Sequence, residues 1–107
     1  MDQKPLTLVV DDDVTLREVL EQAGLRVEEA ATGREAIEAF QRERPQIILL
    51  DVMMPEMDGF AVCLAIRDLP HGATVPIMVM TGLEDHASIA RAYDAGATDF
   101  VTKPWNA

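Results

Sequence analysis

Residues 47–50, Ile-Ile-Leu-Leu, form an apolar run with no polar alternation, closed by Asp51. A strand with one wet face alternates apolar and polar side chains, so this run predicts that a strand over residues 46–50 is central in a parallel sheet. Four further strands are predicted at residues 6–10, 25–30, 75–82 and 99–104, and segments of helical period separate them. Leu16, Val19, Leu20 and Ala23 recur at helical spacing until Gly24. Thr32 and Gly33 open a second helix whose Ala36, Ile37 and Phe40 face inward, and "RERP" ends it. A loop with Pro55 and Gly59 leads to a third helix over residues 60–69, and "DHASIARAYDAG" reads as a fourth, capped by Gly96. Five strands alternating with four helices define an α/β protein, and right-handed crossovers make its sheet doubly wound. No repeat or linker divides residues 1–107, so one domain is expected.

Composition narrows the function. A hydrophobic content of 49% supports one core, and no apolar stretch approaches the length of a membrane span. No leader opens the chain, which predicts a cytoplasmic protein without membrane partners. The formal charge of -10 repels phosphate backbones and anionic lipid, which argues against direct nucleic-acid binding. Cys63 is the sole cysteine, so an internal disulfide is excluded and a helix-packing role is expected.

In a doubly wound sheet, ligands sit beyond the carboxyl ends of the strands. Asp11, Asp12 and Asp13 follow the first strand, Asp51 ends the third, Thr81 the fourth and Lys103 the fifth, so these residues share one rim. Converging carboxylates repel, and a hard divalent cation resolves the conflict. Magnesium fits, with Asp12 as the nearest ligand, Asp11 as an outer or water-mediated one, Asp51, and the Met53 backbone carbonyl. Asp13 reads instead as the N-cap of the first helix. Asp51 is the candidate nucleophile, able to form an acyl phosphate, while Lys103 and the Thr81 hydroxyl would stabilise the phosphoryl oxygens.

The segments "VVDDD", "LLDVMMPEMDGF", "VMTG" and "DFVTKP" together resemble the receiver domain of bacterial two-component response regulators, over residues 6–104. The resemblance implies a flavodoxin-like, CheY-like sheet of order 2-1-3-4-5. It implies magnesium-dependent transfer of a phosphoryl group from a sensor histidine kinase, or a phosphotransfer protein, to Asp51, and at most slow autodephosphorylation in place of enzymatic turnover. Thr81 would then move toward the phosphoryl group and Phe100 would turn inward behind it, altering the helix 4/strand 5 surface toward an output domain, a partner protein or a dimer. The stretch from residue 81 to 104 is similar to receivers fused to cyclic-di-GMP synthesis or breakdown domains.

Two features depart from that family. The segment from Asp12 to Gly24 is shorter by about one helical turn, which predicts a short first helix. The sequence stops where a fifth helix would begin, so the domain is expected to be C-terminally incomplete, with Trp105 near the uncovered face. The alternatives are a degenerate receiver that binds proteins independently of phosphorylation, a magnesium-dependent aspartyl-phosphate phosphatase and a nucleotide-binding sheet. Against the phosphatase, Met53 stands two residues after Asp51, where a second acid would serve. Against nucleotide binding, no Gly-rich loop follows the first strand.

Overall fold

Strand β1 (Leu6–Val10) is buried along its whole length, between β2 (Arg26–Ala30) and β3 (Ile47–Asp51). A computed structural model of the chain describes residues 5–11, 14–52, 58–81 and 86–102. Among these residues the strands, with β4 (Ile77–Thr81) and β5 (Asp99–Thr102), form one parallel sheet in the order β2-β1-β3-β4-β5. The helices are α1 (Val14–Gln22), α2 (Gly33–Glu43), α3 (Gly59–Arg67) and α4 (His86–Asp94). The all-apolar run predicted to be central is the middle strand.

Strand side chains alternate between two faces. Leu8, Val10, Ile48, Leu50, Ile77 and Val79 point to one face and meet Ala36, Ala39 and Phe40 of α2, Val62, Cys63 and Ile66 of α3, and Ala92 of α4. The edge strand shows which helix lies on which face. Adjacent Glu28 and Glu29 must point oppositely, and Glu28 pairs with Arg42 of α2 while Glu29 pairs with Arg17 of α1. So α1 lies across the sheet from α2, as reversal of the winding direction requires.

Cover on the α1 face is thinner. Thr7, Val9 and Met80 are buried there, but Ile47, Leu49 and Met78 are only half-buried. The helical period of α1 holds over nine residues, yet Leu16 and Leu20 are half-buried and Val19 is 57% exposed. Packing beside the edge strand, α1 has little sheet for a wide apolar stripe to cover. The expected fifth helix and Trp105 belong to residues beyond 102, outside the described ones.

Local chemistry sets the helix ends. Gly24 and Gly96 take positive φ of 91° and 96°, and the amides that follow them, of Leu25 and Ala97, donate to the Leu20 and Ala92 carbonyls to close α1 and α4. Thr32 caps α2 by accepting from the Glu35 amide, and the Glu35 carboxylate accepts in turn from the Ala31 amide. At the amino end of β4, the Arg67 guanidinium donates to the carbonyls of Gly72, Val75 and Gly96 and to Thr98 Oγ1, tying the α3–β4 and α4–β5 connections together.

Two substitutions test this packing. A Cβ at Gly72 would overlap the Ile66 carbonyl oxygen, so Gly72→Ala is expected to lower stability by about 1–3 kcal/mol in urea denaturation. Thr7 Oγ1 is a buried side-chain oxygen without a hydrogen-bond partner among the described residues. Thr7→Val keeps the shape and removes the stranded hydroxyl, so the same measurement should show stability raised by about 1 kcal/mol.

Candidate functional site

The register of the central strands builds the site. Val10 pairs with Leu50, and Asp51 pairs with Met80, so the carboxyl ends of β1, β3 and β4 finish at one level. Asp11 stands just past the end of β1, while Asp51 and Thr81 are the last residues of β3 and β4. Each of the three is only 3% exposed, and all are engaged with neighbouring groups in the fold. The rim predicted from sequence therefore holds two buried carboxylates and one buried hydroxyl on three adjacent strands. Of the other predicted site residues, Phe100 lies in β5, half-buried and packed against the core. Asp12, Asp13, Met53 and Lys103 lie outside the described residues.

The donor set is hard. Asp11 and Asp51 offer only oxygen, on neighbouring parallel strands, and no His or Cys has been brought to these strand ends among the described residues. No group of three or more His, Cys, Asp or Glu side chains gathers among them. Two carboxylates are what a magnesium site commonly takes from protein, with water and phosphate oxygens completing the shell. The residues present fit that ion.

Beside the rim, α3 begins in a way that residue spacing did not reveal. Asp58 caps the helix: its Oδ1 accepts from the amides of Phe60 at 3.0 Å and Ala61 at 3.2 Å. Its Oδ2 accepts from Arg91 of α4 at 3.2 Å, and the Arg91 guanidinium carbon lies 4.4 Å from the centroid of the Phe60 ring. A Cβ on Gly59 would overlap Cα and Cγ1 of Val52, so the glycine permits the start of α3 to press against the end of β3. Pro55 and Gly59 signalled a loop here; the cap, the close approach and the tie to α4 depend on the fold. These groups line a groove of about 190 Å³ between α3 and α4, with Leu64 and Asp94 on its walls, away from the buried carboxylates.

On β5, Phe100 meets the ring of Tyr93 edge to face, with centroids 5.9 Å apart and planes at 86°. The Tyr93 hydroxyl donates to Asp99, and its pKa is raised by partial burial and then by that carboxylate. Burial in the core also pushes the Cys63 thiol up, against a smaller opposing effect of Arg67. Cys63 thus has the packing role expected of it.

This fold, carrying an acidic rim at the ends of β1 and β3, defines a doubly wound parallel α/β module with its acidic groups at the carboxyl edge of the sheet. The family model of the response regulator receiver domain matches residues 7–107. The chain belongs to that family, whose members are the receivers of two-component systems. It is 39% identical over 109 residues to the transcriptional regulatory protein CseB of Streptomyces coelicolor, covering 98% of this chain and 45% of that protein. The chain therefore spans less than half the length of the curated relatives it matches. Among solved structures it is similar to the chemotaxis response regulator CheY4 of Vibrio cholerae, with a TM-score of 0.88 and 34% identity, covering 97% of this chain and 90% of that one. It is also similar to the receiver domain of the sensor histidine kinase PA1611 of Pseudomonas aeruginosa, described with a magnesium ion coordinated in its active site cleft. There the TM-score is 0.83 and the identity 29%, covering 97% of this chain and 88% of that one.

Asp58→Ala removes the α3 cap and its tie to Arg91, and is expected to lower stability by about 1 kcal/mol. Arg91→Ala, which breaks only exposed contacts, should cost less than half of that in parallel urea titrations.

Proposed function

We propose that this receiver accepts a phosphoryl group on Asp51 from the phosphohistidine of a sensor histidine kinase or a phosphotransfer protein, and that its arrival resets the α4/β5 surface. The observation that carries this reading is the placement of Asp51, 3% exposed at the end of the central strand, between Asp11 and Thr81 on the two flanking strands. A carboxylate oxygen of Asp51 attacks phosphorus, the phosphorus–nitrogen bond of the donor breaks, and imidazole leaves with the electron pair and takes up a proton. Asp11, Asp12, Asp51 and the Met53 carbonyl would hold magnesium, which when bound offsets charge on the phosphoryl oxygens. The Thr81 hydroxyl donates to one phosphoryl oxygen and Lys103 neutralises another.

Movement of Thr81 toward that oxygen leaves space behind it on β4, into which Phe100 on adjacent β5 turns. Val79 pairs with Phe100 across these strands, so the two groups are close enough to be coupled by packing. Met53 and Leu83, each two residues from a site residue, are apolar and offer no proton relay to an attacking water. The chain is thus a phosphoacceptor with slow self-dephosphorylation and not a turnover enzyme, and it works where sensor kinases present their phosphohistidines, in the cytoplasm. The output lies in the remainder of a longer protein or in a partner. Relatives described as transcriptional regulators support an output on transcription, ahead of the cyclic-di-GMP type suggested by residues 81–104.

Incubation with acetyl phosphate followed by intact-mass measurement tests the proposal. One phosphoryl group should be gained in the presence of magnesium, and none in its absence or in Asp51→Asn. The adduct should persist for minutes, and a Thr81→Ala variant should still be phosphorylated while its Phe100 resonances stay in place. A folded wild-type chain that gains no mass would overturn the reading in favour of a phosphorylation-independent binding module.

A further inference from the structure

Tyr93 is the chain's single tyrosine and, among the described residues, one of few large exposed apolar side chains, at 45% exposure on α4. It reaches Phe100 by two routes. Ring edge meets ring face at 5.9 Å, and the Tyr93 hydroxyl donates to Asp99 Oδ1 at 3.2 Å, the same oxygen that accepts from the Phe100 amide at 2.8 Å. One carboxylate oxygen thus joins the hydroxyl of a surface helix residue to the backbone of the switch residue. Phe100 itself carries no hydroxyl, so these contacts are made by its ring and its amide.

We infer that Tyr93 is a positioning residue of the switch: its ring and its bond to Asp99 hold Phe100 in the conformation described here, and inward rotation of Phe100 releases Tyr93 and changes the α4/β5 surface. The inference rests on the phosphoacceptor reading of Asp51 and deepens it by naming what restrains the resting state. The physical basis is differential contact. Aromatic pairs lose their favourable geometry when one ring turns away, and a contact made in only one of two states biases the equilibrium between them. By reciprocity, whatever weakens the Tyr93 contact strengthens binding of a phosphoryl group or its mimic at Asp51.

The test uses the full chain labelled with ring-¹³C tyrosine and phenylalanine, titrated with beryllofluoride and magnesium as a phosphoryl mimic. Expected are shifts of both the Tyr93 and Phe100 ring resonances on saturation. Tyr93→Ala should bind the mimic roughly two- to tenfold more tightly than wild type, the range expected for loss of one aromatic pair. Tyr93→Phe, which keeps the ring and loses only the bond to Asp99, should fall between the two. A loss of fold stability without a change in mimic affinity would be a merely structural role and would overturn the inference. So would a wild-type Tyr93 signal that stays still while Phe100 moves. If the mimic does not bind at Asp51 and neither ring responds, the phosphoacceptor reading has failed, and the inference falls with it.

Discussion

A parallel strand buried on both faces leaves charge nowhere to go except its ends. β1 is such a strand, buried at every position, and the central β3 beside it, flanked by β1 and β4, is buried along the face that meets α2 and α3. Polar chemistry is thereby pushed to the rim, where the backbone turns away and water, a cation or a phosphoryl group can meet it. Asp11, Asp51 and Thr81 are drawn together by this constraint and by a register that ends three strands at one level. Two carboxylates are costly to bury beside each other without compensation, so their placement gives the rim its chemical direction.

The scaffold around that rim is tied at both ends of α3. At the site end, Asp58 caps the helix and holds Arg91 of α4, while Gly59 allows the backbone to press on Val52 directly after Asp51. At the opposite end, Arg67 gathers the carbonyls of Gly72, Val75 and Gly96. The core under these helices uses small residues, Ala36, Ala39, Ala92 and Ala95, so helix and sheet backbones approach closely around Phe40 and Ile66. α4 is held differently. It touches the core through Ala92, with Ala95 just past its end, and its neighbours through exposed polar or aromatic groups, Arg91 and Tyr93. Contacts of that kind are individually weak, which suits the change of surface proposed above.

Much of this was readable along the chain. The apolar runs placed the inner strands β1, β3 and β4 to within a few residues, because a strand with neighbours on both edges and cover on its faces favours consecutive Val, Ile and Leu. The helix stops at Gly24 and Gly96 were readable because a left-handed closing residue favours glycine. Other features were not. Val19 sits in the helical period of α1 yet is 57% exposed, since periodicity predicts a face but not whether the fold provides something to cover it. Asp58 fell in the loop marked by Pro55 and Gly59, and its second bond, to Arg91 thirty-three positions later, has no local signature. Asp99, Tyr93 and Phe100 fall within one short stretch, but their convergence needs the turn from α4 into β5.

By itself the sequence determined the α/β class, the central place of the run ending in Asp51, and the identity of the acids and hydroxyl available at strand ends. These follow from side-chain polarity and spacing, which act locally. Only the tertiary structure decided that Asp11, Asp51 and Thr81 finish level and buried, that α1 lies opposite α2, and that Tyr93 shares a carboxylate oxygen with the Phe100 amide. Those outcomes depend on strand register, crossover hand and the approach of distant segments, which no single stretch of chain encodes.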